Sequence, residues 1–183
     1  MRYLIVCGGK IDKEFGLNEI KTDGIDAIIA ADSGMDFLYE NGVTPDIIVG
    51  DFDSTTTNAL EYFERKGQTE IRRLNPIKDD TDTEYAIRLA ISEGARSIVL
   101  LGATGSRIDH VLGNISLLGI GLESGTDISI IDTNNRIRMA DKPVTIEKSA
   151  QYGRFVSLIA LTDDNEVSLK GFKYPVTDYS FDR

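Results

Sequence analysis

Short apolar runs alternate with helix-period segments through the first two thirds of the chain. Residues 2–7, 27–31 and 47–50 are compact apolar stretches that stop at Gly or Asp, as buried parallel strands do. Segments 33–41 and 55–66 carry helical patterns closed by Gly42 and Gly67. A further strand is expected over 71–74. The spacing then predicts a helix over 81–93: Thr81 and Glu84 form a capping box, Ala86, Leu89 and Ala90 share a face, and Gly94 supplies the stop. A strand at 97–101 and a helix over 107–122 follow. Beyond Gly125 the helical period disappears. Residues 128–131 and 136–139 flank the turn formers Thr133, Asn134 and Asn135, which predicts a hairpin. Short strands are expected at 144–147, 155–161 and 166–169, with none after them. The pattern thus gives a parallel-sheet α/β domain over 1–123 and a small all-β region over 124–183.

Composition narrows the partners more than the fold. With 41% apolar and 27% charged residues in 183, the chain reads as one globular protein with a proper core. The longest apolar runs, 98–101 and 115–118, are far too short to span a bilayer. Residues 1–7 read as a strand rather than a leader. The net charge of −10 argues against a nucleic-acid partner, which requires a basic surface. One Cys can form no internal disulfide, and one Cys with one His can build no zinc site, so a reducing cytoplasm is expected. Cys7 itself reads as strand packing.

Four polar segments fall at expected strand ends, where ligands collect in open α/β sheets. They are Asp32, Ser33 and Gly34; Gly50, Asp51, Asp53 and Ser54; Lys78, Asp79, Thr81 and Asp82; and Gly102, Thr104, Gly105, Arg107, Asp109 and His110. In extended backbone Asp51 and Asp53 point to one side, so both carboxylates aim at one place. Two readings stay open for each acid. Asp51 and Asp53 also suit a solvated turn that caps the following helix, and Asp82 suits the first turn of any helix through the dipole.

The energetics of convergence favour a metal. Two carboxylates 4 Å apart repel by about 4 kcal/mol at an effective dielectric of about 20. Asp51, Asp53 and Asp82 gathered at a polyphosphate would expel it unless a divalent cation intervened, and oxygen-only ligands suit Mg²⁺. The segment 102–107 has the opposite polarity. Its small residues allow close backbone approach to phosphates, a helix amino terminus follows, and Arg107 adds a planar donor fork. His110 and Asn114 lie down that helix on the side of Arg107, with Ile108, Val111, Leu112, Ile115 and Leu118 expected on the buried side. These features describe transfer of a phosphoryl group from a nucleotide.

The run Asp51, Phe52, Asp53, Ser54 after an apolar strand also resembles the nucleophile motif of haloacid-dehalogenase-type phosphatases, with Asp51 as nucleophile. In that family the Asp pair ends the first strand, whereas two strands precede Asp51 here. A non-catalytic module that binds a nucleotide or another small ligand is the third alternative.

In their order, the segments at 31–34, 50–54, 78–84 and 105–110 resemble the thiamine pyrophosphokinase family, and Gly171, Phe172, Lys173, Tyr174 and Pro175 resemble a segment of its β-domain. The resemblance implies an α/β nucleotide-binding domain followed by a thiamine-binding β-sandwich, in a homodimer with sites between subunits. It implies transfer of the pyrophosphoryl group of ATP to the hydroxyethyl oxygen of thiamine, giving thiamine diphosphate and AMP. It further implies that Asp51, Asp53 and Asp82 hold Mg²⁺, that Asp32 forms part of the site wall, and that Arg107, Asp109 and Asn114 lie beside the nucleotide. Because the family continues past the match to Tyr174 and Pro175, a chain stopping at Arg183 is expected to lack part of the final sheet and of the acceptor site.

Overall fold

A computed structural model describes residues 1–52, 58–75 and 80–181. The chain falls into two compact units, Met1–Tyr152 and one beginning at Gly153. In the first, β1 (Arg2–Val6), β2 (Ala27–Ala31), β3 (Ile47–Gly50), β4 (Glu70–Arg73), β5 (Ser97–Leu101), β6 (Asp127–Ile131) and β7 (Arg136–Arg138) form one sheet. Its order is β4-β3-β2-β1-β5-β6-β7, parallel throughout except for β7. The chain winds outward from β1 to β4, then restarts at β5 on the other side of β1. Between β1 and β5 the strand order reverses, which opens a crevice at their carboxyl ends.

Strand side chains alternate between the two faces, and that alternation builds two cores. Leu4 and Val6 of β1 face α2 (Gly34–Glu40) and α3 (Ala59–Lys66), packing with Met35, Leu38 and Phe63. Tyr3 and Ile5 face α4 (Asp82–Ser92) and α5 (Ile108–Ser124), packing with Ala86, Ile87, Ala90 and Leu118. Each fully buried large side chain contributes about 1.5–3 kcal/mol of transfer free energy. α4 crosses from one edge of the sheet to the middle and lies over β1, β2 and β3.

Local signals account for the helix ends. Thr81 Oγ1 accepts from Glu84 N at 3.1 Å and starts α4. Gly67 and Gly125, at φ 63° and 73°, end α3 and α5 in the left-handed conformation that glycine adopts freely. One helix went unread in the sequence: α1 (Lys13–Ile20), capped by Asp12, whose carboxylate accepts from Phe15 N at 2.9 Å. Gly16 hides it. A Cβ there would sit 2.7 Å from the Phe37 ring, so packing selects the residue that propensity disfavours.

Three expectations are corrected. The sheet continues past the change of pattern at 124, because β6 pairs parallel with β5 and carries the expected hairpin partner β7 with it. On α5, Leu118 is buried, but Ile108 and Leu112 are 72% and 60% exposed. Asn114 is already level with Ala103, just past the end of β5, so the turns before it have no sheet beneath them. Segments 144–147 and 155–161 form no strand. The second unit pairs β8 (Asn165–Leu169) with an unexpected β9 (Val176–Phe181) in an antiparallel two-stranded sheet. β9 escaped notice because Asp178, at φ 47°, interrupts its alternation at a register shift, where it exchanges two hydrogen bonds of 2.9 Å with the Ser168 hydroxyl. Among the described residues no helix is long and apolar enough to cross a membrane.

Candidate active site

Three carboxylates meet at the carboxyl edge of the sheet. Asp32 follows β2, Asp51 follows β3, and Asp82 opens α4. Each offers an oxygen within 4.8 Å of the others. The sequence placed Asp53 in this trio and Asp32 only in the wall. Among the described residues the third member is Asp32, and Asp53, Ser54, Lys78 and Asp79 lie outside them. At Phe52 the backbone is left-handed rather than extended, at φ 66°. Asp32 is also left-handed, at φ 48°. Such backbone is costly for residues other than glycine, and at strand ends it aims side chains that regular strands cannot.

Close approach of the strand ends depends on glycine. A Cβ at Gly50 would lie 3.1 Å from Asp32 Cα, one at Gly34 2.0 Å from Val6 O, and one at Gly8 2.1 Å from Ser33 Oγ. The trio repels itself by roughly 3–4 kcal/mol per ionised pair at an effective dielectric of about 20. Three oxygen donors and neither nitrogen nor sulfur make a set that fits a hard divalent cation such as Mg²⁺.

The second half of the site lies across the crevice. Gly9 N donates to Gly102 O at 2.9 Å, joining the ends of β1 and β5. Gly102, at φ 72°, has no room for a Cβ, which would lie 2.5 Å from Cys7 O. Beyond it, Asn114 Nδ2 donates to Ala103 O at 2.8 Å, and the Thr104 hydroxyl bonds Asp132 Oδ2 at 2.9 Å. Asn114 thus ties α5 to the loop after β5. Arg107 grips Asp109 through two bonds, Nη2 to Oδ2 at 2.6 Å and Nε to Oδ1 at 3.3 Å. These bonds hold the exposed Asp109 carboxyl below its ordinary range. Gly105 and His110 are exposed along the same stretch.

Sequence reasoning missed Gly8, Gly9 and Asp132. Gly8 and Gly9 were findable as a glycine pair directly after the first apolar run, and they help line a cavity of about 400 Å³ with Ile11, Ser33, Asp36 and Phe37. Cys7, at its floor, behaves as packing. Burial pushes its thiol up to about 11, against a lowering by the Thr83 hydroxyl 3.7 Å away.

A sequence profile described as the thiamin pyrophosphokinase catalytic domain matches residues 21–130. The chain belongs to the thiamin pyrophosphokinase family. The profile of that family's vitamin B1 binding domain matches residues 143–183. The thiamine pyrophosphokinase of Bacillus subtilis (strain 168) is 36% identical over 152 residues, 82% of this chain and 70% of that protein. A crystal structure of a Bacillus subtilis thiamine pyrophosphokinase superposes with a TM-score of 0.84 at 33% identity, covering 98% of this chain and 83% of the other. That of a Geobacillus thermodenitrificans thiamin pyrophosphokinase gives 0.79 at 27% identity, covering 100% and 84%. Membership of the thiamin pyrophosphokinase family leaves the phosphatase reading, with Asp51 as nucleophile, without support. The two family profiles separate between residues 130 and 143, around the β6–β7 hairpin.

Proposed function

We propose that the chain transfers the pyrophosphoryl group of ATP to the hydroxyethyl oxygen of thiamine, giving thiamine diphosphate and AMP. The observation that carries this reading is the convergence of Asp32, Asp51 and Asp82 opposite a glycine-rich loop, in a chain of this family. Asp32, Asp51 and Asp82, with Asp53 beside them in sequence, hold Mg²⁺ in this reading. Bound there, the ion offsets the charge of the trio and of the polyphosphate. In this reading Ser33, Gly34, Gly50 and Thr81, at the edge of the site, line the nucleotide's approach, and Ser54, Lys78 and Asp79 are nucleotide-binding candidates by their place in the sequence alone.

In this reading the chain's own contribution is positioning and charge. The loop 102–107 brings backbone to the phosphates, and the amino end of α5 directs free N–H groups toward them. Arg107 spends Nε and one terminal N–H on Asp109, which fixes its plane and leaves further donors for a phosphate oxygen. In-line attack on the β-phosphorus then needs the two substrates held in register, and phosphoryl transfer asks for little covalent help. In this reading the enzyme is a homodimer, as the resemblance implies. Exposed Ile108 and Leu112 on α5 support a covered surface there, and the single, buried Cys7 supports a cytosolic setting.

Incubation with ATP, thiamine and Mg²⁺, with products resolved chromatographically, tests the reading. AMP and thiamine diphosphate in equal amounts are expected, and neither in excess chelator. Release of inorganic phosphate alone, or no turnover with Mg²⁺, overturns it.

A further inference from the structure

Asp132 follows β6 and lies outside the segments that the sequence singled out, yet both its carboxylate oxygens accept several hydrogen bonds. Its Oδ1 accepts from Asn134 N at 2.8 Å, Asn135 N at 2.7 Å and Asn135 Nδ2 at 3.0 Å. Its backbone carbonyl accepts from the Tyr152 hydroxyl at 2.5 Å. Its Oδ2 takes Asn135 Nδ2 at 3.1 Å and, across 28 residues of sequence, the hydroxyl of Thr104 at 2.9 Å. Burial works to raise the Asp132 carboxyl, but these donors win and hold it below its ordinary range. It is therefore ionised near neutrality and can only accept.

That fixes the direction of the bond to Thr104. A threonine hydroxyl has one proton and two lone pairs. Committed to a carboxylate, the proton is withdrawn from any ligand, and the half-buried Thr104 offers only acceptor capacity. A phosphate oxygen, itself an acceptor, gains nothing from such a group. A nucleoside hydroxyl or exocyclic amine does. The remainder of the loop, with its backbone N–H groups and Arg107, has the opposite polarity.

We infer that Asp132 is a positioning residue, which orients the Thr104 hydroxyl as an acceptor for a hydrogen-bond donor on the nucleoside of the nucleotide substrate. The inference rests on the proposed function for the identity of the substrate. Asp132 touches no substrate itself. It acts by tying the loop after β5 to the β6–β7 turn, which Tyr152 braces from the end of the first unit.

The test is calorimetric titration, with Mg²⁺ present, of the full chain and its variants with ATP, 2′-deoxy-ATP and inosine triphosphate. The two analogues, with 3′-deoxy-ATP beside them for the other ribose hydroxyl, separate the ribose hydroxyls from the base amine as the donor. One of the three analogues should bind the parent about five- to tenfold more weakly than ATP. Thr104→Val should weaken ATP by a similar factor and abolish that discrimination, while Thr104→Ser restores both. Asp132→Asn keeps an oxygen for the turn but presents an N–H toward Thr104. It should match Thr104→Val in ATP affinity and add nothing to it in the double variant, since both break one bond. In turnover, both variants should raise KM for ATP while leaving kcat and KM for thiamine unchanged. Parent protein indifferent to all three analogues, discrimination retained in Thr104→Val, independent multiplication of the two effects, or equal weakening of ATP and thiamine each overturns the inference. Nucleotide binding with the expected pattern but no turnover of thiamine would instead overturn the proposed reaction and leave the positioning role standing.

Discussion

The side-chain amide of Asn114, in the second turn of α5, donates to the backbone carbonyl of Ala103 at 2.8 Å. One hydrogen bond thus ties the helix to the loop that precedes it and sets the loop's height above the strand ends. Asn114→Ala leaves that carbonyl without its partner and is expected to cost about 1–2 kcal/mol. Asn114→Asp, which sets a carboxylate against a carbonyl, is expected to cost more. Urea midpoints measure both. A destabilisation by Asp no larger than that by Ala would show that the loop relaxes away.

Asp51→Asn and Asp82→Asn are each expected to cut turnover by at least about a hundredfold, by analogy with the loss of one preorganised electrostatic partner. Neither is expected to lower the melting temperature in chelator, because each removes repulsion from the trio. Asp32→Asn should behave alike, since asparagine tolerates the left-handed backbone at that position. Melting curves with and without Mg²⁺, beside initial rates, decide the matter. Parent-like rates in all three variants would remove the trio from the reaction.

Arg107 depresses the Asp109 carboxyl, so the paired state persists as pH falls past the ordinary carboxylate value of about 3.9 and is lost only through the lower, folded value. Arg107→Gln should bring the Asp109 titration up toward the ordinary value. Carbon-detected NMR of the carboxyl follows this directly. An unchanged midpoint would mean that Arg107 does not hold Asp109 in solution.

Two glycines to alanine should move stability in opposite directions. At Gly34 the new methyl meets Val6 O at 2.0 Å and Val6 C at 2.6 Å, backbone that cannot step aside, so several kcal/mol are lost by overpacking. At Gly113, inside α5, nothing lies within 4 Å, and alanine should stabilise by about 0.5–1 kcal/mol. Denaturant unfolding of the two variants side by side provides the comparison.

Period and punctuation made most of the sheet and four of its helices legible. The apolar runs stop at glycine or aspartate because the strands end there, and α4 announces itself through Thr81 and Glu84. What stayed hidden depended on contacts distant in sequence. Gly16 reads as a helix breaker until the Phe37 ring is set against it. Ile108 and Leu112 continue an apolar stripe by period alone, and only the level of Ala103 shows that no sheet lies beneath them. At the site, the left-handed backbone of Phe52 is invisible to a pattern that assumes a straight strand through it. Asp32 joins Asp51 and Asp82 because β2 and β3 are neighbours, a fact of strand order rather than of local pattern.

Helix α4 rests on Ala86 and Ala90, both fully buried, and its first residue is Asp82. The carboxylate's place is thus set by how deeply two methyl groups let the helix settle onto three strands at once. A larger side chain at Ala86 acts as a shim under a beam. It lifts the span, tips the amino end, and spoils the alignment with Asp32 and Asp51 while every acid remains in the sequence. The demand of the chemistry on this chain therefore reaches beneath the helix into apolar positions that never meet a substrate. Leverage, more than proximity, decides which substitutions the enzyme tolerates.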